Sequence, residues 1–257
     1  MAYTMEYPTR QLFYQWLDQK DLDNVCLNKL GITAFYNNIP VTYQVPLLNP
    51  NNRCFGSVKW VGIDIPVLIH PDPNKSNGET LVIVGISALR DKNNNCPSGH
   101  AWIGCPFAVN NLLGIPKQCD VYKLIFEKLL NCGYTLYLTD AVKVWWDGKK
   151  LSPYQCDKTI FVDEIKTISS SHTIKAIVTW GNIAKNFVKE IANYYQLQPV
   201  IPVMHPGQRN WGIWKKRMNS IPVNSQGAKK NCLNGNKSCN ANIIANLVFQ
   251  EIMKQIK

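Results

Sequence analysis

The sequence contains no run approaching the ~20 consecutive apolar residues that a membrane-spanning helix requires, so no segment reads as transmembrane. The first residues, Met1 to Arg10, are polar and lack the apolar core of a secretory leader. The expected location is cytoplasmic, or nuclear in a eukaryote. Neither Gly-x-x-x-x-Gly-Lys-Ser/Thr nor Gly-x-Gly-x-x-Gly occurs, which disfavours phosphate-loop and dinucleotide-binding folds. Among the nine cysteines (Cys26, Cys54, Cys96, Cys105, Cys119, Cys132, Cys156, Cys232 and Cys239) no pair is spaced Cys-x-x-Cys. Zinc ribbons and most iron–sulfur proteins cluster their thiolates more tightly. The odd number of cysteines fits reduced thiols better than a disulfide framework, and no metal or cofactor is expected. Acidic residues are also scarce: 17 against 28 Lys and Arg, a net charge of +11. Such an excess points to a polyanionic partner, of which nucleic acid is the commonest. An AT-rich genome, whose codons favour Lys and Asn, is the competing explanation.

What remains is an ordinary globular composition, 46% hydrophobic, at the upper end of one-domain length. Four short apolar runs rich in β-branched residues read as buried strands: Leu81–Ile86, Tyr134–Thr139, Ile174–Thr179 and Val200–Met204. Helical spacing marks Val121–Asn131, Ile183–Tyr195 and Ala241–Ile256. Thr9–Gln19 reads as a further helix, Gly56–Ile69 as strand, Asp72–Glu79 as a connector and Asn219–Asn242 as a long mobile loop. Alternation of strand and helix implies parallel pairing with helices on both faces. The expected fold is a three-layer α/β/α domain with a central, mainly parallel four-stranded sheet. Residues 1–70 would form an extension packed on it.

Ligands of parallel α/β sheets bind at the carboxyl ends of the strands. The residues just beyond the four runs are Gly85-Ile86-Ser87-Ala88-Leu89-Arg90-Asp91, Thr139-Asp140-Ala141-Val142-Lys143, Trp180-Gly181-Asn182 and His205-Pro206-Gly207-Gln208-Arg209-Asn210. Glycine and polar groups concentrate at all four.

In this order the segments resemble the uracil-DNA glycosylase superfamily. Gly85-Ile86-Ser87-Ala88 is similar to the loop that holds the catalytic water, Gly104-Cys105-Pro106-Phe107 to the segment ending in the aromatic that stacks on the extruded base, and Leu136–Lys143 to the strand ending in the base-reading residue. Val178–Ala184 resembles the strand–Gly–helix turn that follows. His205–Asn210 resembles the His-Pro-Ser-Pro-Arg-Asn motif of the single-strand-selective monofunctional branch. The resemblance covers roughly residues 80–215 and rests on order and spacing, since no single motif is specific.

It implies a monofunctional enzyme that flips a base out of DNA and hydrolyses its bond to the sugar, works as a monomer and needs no cofactor. In that reading His205 stabilises the charge developing on the base, Ser87 or Asp91 positions the water, and Phe107, Asp140, Gly85 and Ile86 hold the base. Gln208, Arg209, Asn210, Lys215, Lys216, Lys143 and Asn182 contact DNA, with Trp211 and Trp214 interleaved among the basic residues.

Two positions depart from the family. Asp140 stands where Asn is usual. A carboxylate offers no donor to a uracil oxygen but accepts from the amino group of cytosine. The implied target is a cytosine derivative, 5-substituted and of the kind found in phage DNA, which suggests a role in phage defence. Two other readings of Asp140 stay open: an N-cap of the next segment, or a protonated acid still reading uracil. Uracil or 5-hydroxymethyluracil repair is therefore the alternative activity. The second departure is Ser87-Ala88, where Asp or Asn usually orients water; it keeps open a DNA-binding homologue without catalysis. A small nucleotide-processing hydrolase on the same sheet is the third reading.

Overall fold

The computed structural model describes residues 4–29, 43–48, 61–87, 99–108, 121–146, 155–195, 199–206, 210, 213–214, 216–217 and 237–256. Its strands are β1 (Thr4–Glu6), β2 (Tyr43–Pro46), β3 (Val61–Asp64), β4 (Val67–His70), β5 (Glu79–Ser87), β6 (His100–Gly104), β7 (Thr135–Val142), β8 (Val144–Trp146), β9 (Thr173–Trp180) and β10 (Val200–Val203). Its α-helices are α1 (Gln19–Asn24), α2 (Val121–Asn131), α3 (Gln155–Ser169), α4 (Asn182–Tyr195) and α5 (Lys237–Ile256).

The four apolar runs of the sequence become β5, β7, β9 and β10. They pair in parallel in the order β7-β5-β9-β10. Runs this apolar suit strands covered on both faces. The sheet is wider than expected, because antiparallel β4 and then β1 extend it beyond β7 to six strands. Part of the N-terminal region is thus hydrogen-bonded into the sheet, not merely packed on it. A second sheet, β2-β6-β3-β8, had no signature in the sequence beyond the apolar alternation near Gly56–Ile69. Pro66 lies in the break between β3 and β4, as a residue without an amide donor should.

Alternation along the strands sorts side chains into two cores. Leu81, Ile83, Leu136, Leu138, Val178 and Trp180 face α2, α5 and the second sheet. Val82, Val84, Tyr137, Ala141 and Ile177 face α3 and α4. Helices therefore cover both faces, as strand–helix alternation implied.

Other expectations need correction. Thr9–Gln19 forms only a 3-10 turn, Arg10–Phe13; the α-helix starts at Gln19, where the Asp18 carboxylate accepts from the Asp21 amide at 2.9 Å. That cap closes the helix start at Asp18, eight residues past Arg10. Helix α3 had escaped notice because polar residues interrupt its apolar face, and two of them, Asp157 and Glu164, are wholly buried. Of the expected loop Asn219–Asn242, residues 219–236 lie outside the described residues, and Lys237–Asn242 are the first turns of α5.

The buried polar residues of α3 explain how it docks. Lys143, 1% exposed, donates from Nζ to Glu164 Oε2 at 2.7 Å and to Thr139 Oγ1 at 2.5 Å. Thr139 Oγ1 donates to the same carboxylate at 2.7 Å. Asp157 Oδ1 accepts from the backbone amides of Lys143 at 2.7 Å and Val144 at 3.4 Å. Burial pushes the Glu164 carboxyl above its usual range, and Lys143 pulls it back. Removing one member of a buried pair strands an uncompensated charge, at a cost of about 3–5 kcal/mol, whereas an apolar pair of similar volume is often neutral. Chemical denaturation should therefore show Lys143→Met and Glu164→Leu each strongly destabilising, and the double variant recovering most of the loss.

Candidate active site at the carboxyl edge of the sheet

The parallel register sets the site. Gly85 pairs with Asp140, Ser87 with Val142, Val84 with Thr179, and Val203 with Trp180. The ends of four strands thus share one rim, and His205 follows β10 by two residues.

At the centre is an approach that only glycine allows. A Cβ added to Gly85 would land on Asp140 Oδ1 and lie 3.0 Å from the Phe107 ring. Asp140 is 4% exposed and sits inside β7, which continues to Val142. It is not the N-cap of a helix, so that reading of it falls. Phe107 lies in the 3-10 turn Pro106–Ala108 with φ 60° and ψ 13°, the only non-glycine with positive φ among the described residues. A left-handed conformation costs an L-residue roughly 1–2 kcal/mol, and strain of this kind persists where surrounding structure over-determines it.

Here the determinants are aromatic. Phe107 meets Trp180 edge-on at 4.6 Å between centroids and Phe126 at 5.6 Å, and lies 5.7 Å from Tyr122. Tyr122 stacks on Trp180 at 5.2 Å. From this cluster the contacts pass to His205, whose Nε2 lies 3.4 Å from Tyr122 Oη. The His205 carbonyl accepts from Asn210 Nδ2 at 2.8 Å and from Trp214 Nε1 at 3.4 Å, which fixes its backbone. Burial pushes the His205 imidazole below its usual value, favouring the neutral ring.

Gly85, Phe107, Asp140 and His205 are therefore joined by an unbroken run of contacts through Tyr122 and Trp180. Ile86 is half-buried at the end of β5, and Ser87 is that strand's last residue. Asn182 is exposed at the start of α4, next to Gly181, whose φ of 85° makes the turn from β9. Lys216 is exposed, while Asp91, Gln208, Arg209, Lys215 and Trp211 lie outside the described residues.

Three of the expected DNA contacts have partners within the protein. Lys143 is 1% exposed and turned inward against Glu164. Trp214 is fully buried. The Asn210 amide is engaged by the His205 carbonyl. Sequence reasoning missed Tyr122 and Trp180 as site residues. Trp180 stood just beyond a strand but carried no assigned role, and Tyr122, which opens an amphipathic helix, drew no notice. A groove of about 440 Å³ between α3 and α4, lined by Lys158, Val162, Glu190, Ile191 and Tyr195, contains none of the rim residues.

The chain matches no family model and no curated protein. Among the described residues no helix is long and apolar enough to cross a membrane.

Two measurements check this geometry. Gly85→Ala must push aside Asp140 or Phe107, and overpacking of this kind costs about 1–3 kcal/mol; a lowered melting temperature with a displaced carboxylate in the variant's structure is expected. Because the folded-state pKa of His205 is depressed, the unfolded chain takes up the proton first. The stability this residue confers is then complete above the unfolded value of about 6.5 and is lost as pH falls below it. Wild type should lose stability relative to His205→Gln as pH is lowered from about 7.5 to about 5, a difference that cancels the similar depression of His172.

Proposed function

We propose that the protein is a monofunctional DNA glycosylase of the uracil-DNA glycosylase type, acting on a 5-substituted cytosine. The observation that carries this reading is the adjacency of Asp140, Gly85 and Phe107 at the end of the parallel strands, with His205 at the other end of the same aromatic cluster. A carboxylate beside a glycine and an aromatic ring can hold a planar ring that bears an amino group: the carboxylate accepts from the amino group, and the ring stacks. Across the cluster, a neutral imidazole can donate one hydrogen bond to a carbonyl oxygen as it gains charge. The net charge of +11 suits a polyanionic substrate.

In the reaction the bond between the base nitrogen and C1′ of the sugar breaks, and both electrons leave with the base. Water bonds to C1′, and its proton ends on the base. Phage DNA is a natural source of bulky 5-substituted cytosines, so a defensive role follows from this specificity.

A base-release assay on oligonucleotides bearing uracil, cytosine, 5-hydroxymethylcytosine or its glucosylated form tests the reading. Release of a modified cytosine, lost in His205→Gln and redirected towards uracil in Asp140→Asn, is the expected result. Release of uracil alone by wild type would overturn the cytosine assignment. Salt-sensitive binding without release from any substrate would make the protein a DNA-binding homologue.

A further inference from the structure

We infer that the Tyr122 hydroxyl is a catalytic group, and that with the His205 ring it forms a two-donor cradle for the O2 oxygen of the departing pyrimidine. This rests on the glycosylase reading but not on which pyrimidine is removed, because cytosine and uracil both carry an oxygen at C2, next to the nitrogen that leaves the sugar.

The geometry is that of a charge-stabilising pair. Tyr122 Oη and His205 Nε2 lie 3.4 Å apart. Two donors at that separation can each sit about 2.8 Å from one shared oxygen, subtending about 75° there. Their mutual hydrogen bond is long, so yielding it to an incoming oxygen costs less than breaking a short one. Both groups are held before any substrate arrives. The Tyr122 ring is stacked on Trp180 at 5.2 Å and flanked by Phe107 at 5.7 Å. The His205 backbone is pinned through its carbonyl by Asn210 and Trp214. Donors fixed in place and partly buried stabilise developing charge effectively, because they need little reorganisation as it appears.

The chemistry would be served by such a cradle. When the bond between N1 and C1′ breaks, the electron pair left on N1 delocalises onto O2. A neutral imidazole carries only one N–H, so a lone His205 supplies a single hydrogen bond. The Tyr122 O–H supplies a second without adding a charge. Ser87 also stands where the family this chain resembles has Asp or Asn, which on the glycosylase reading places more of the work on stabilising the leaving base.

Tyr122→Phe is a clean probe, since it keeps the ring and its stacking and removes only the hydroxyl. Single-turnover release of 5-hydroxymethylcytosine from a labelled oligonucleotide should slow on the order of 100-fold, the usual effect of losing one such donor. Affinity for the same oligonucleotide carrying a non-hydrolysable 2′-fluoro sugar should change less than about twofold on this account. The defect should shrink for 5-formylcytosine, a better leaving group that depends less on external stabilisation. If wild type releases uracil instead, uracil and 5-fluorouracil replace the two cytosines. An unchanged rate in Tyr122→Phe, or a defect equal for both leaving groups, would overturn the inference. Should Tyr122→Phe fail to fold, 3-fluorotyrosine at this position keeps ring and hydroxyl, and a rate insensitive to that more acidic phenol would overturn it equally. Absence of release by wild type from every substrate would instead defeat the glycosylase reading itself.

Discussion

Strand β7 carries polar groups on both faces of its carboxyl end, back to back, and the site depends on how they are held. On one face Thr139 joins the buried Lys143–Glu164 pair; on the other Asp140 reaches across Gly85 to Phe107. An ionic pair with 1% and 0% side-chain exposure gives up most of its hydration, and apolar residues could join α3 to the sheet without that loss. What apolar packing lacks is direction. The short, angular bonds from Lys143 and Glu164 to Thr139, with Asp157 on the next two amides, fix the end of β7 against sliding or twisting. A strand fixed on one face presents its next residue at a fixed height on the other, and here that residue is Asp140.

The rim itself is made by subtraction. Gly85 supplies no side chain, so the Asp140 carboxylate and the Phe107 ring occupy the space over the β5 backbone. Phe107 reaches that position only by adopting a left-handed backbone, a strain balanced by its contacts with Trp180, Phe126 and Tyr122. Trp180 is central to the balance: fully buried, it stacks with both Phe126 and Tyr122. One residue at the end of β9 thereby couples the strained turn to the helix that carries Tyr122, and through Tyr122 to His205.

The parts of this arrangement visible in the sequence were those with a local cause. Four short β-branched runs had to be buried strands, and the bounds of α2 followed from its spacing alone. Gly85, Asp140 and His205 stood out at strand ends and Phe107 through the resemblance carried by Gly104–Phe107; the fold brings Gly85, Asp140 and Phe107 into direct proximity. The rest depended on partners remote in the chain. Lys143 looked like a surface cation because nothing near it in sequence reveals Glu164, 21 positions on. Trp214 looked like an interfacial aromatic, though its indole is spent on the His205 carbonyl. Helix α3 was hidden by Asp157 and Glu164, polar residues at positions where burial is tolerable only with the partners the fold provides. Strands β1 and β4 add to the sheet by pairings no local pattern encodes.

On the glycosylase reading, the polarity of the rim bears directly on the choice of base. Asp140 lies at one end of the aromatic cluster and the Tyr122 hydroxyl and His205 ring at the other; on that reading the first accepts and the other two donate. Along the edge that runs from C4 to C2, cytosine presents a donor and then an acceptor, the complement of that order. Uracil presents acceptors at both ends, so its C4 oxygen would face a carboxylate and leave two buried acceptors opposed, a mismatch costing about 1–3 kcal/mol or more. On the glycosylase reading, the target base is therefore set by the acceptor character of Asp140, and the donor pair at the far end can serve either base unchanged.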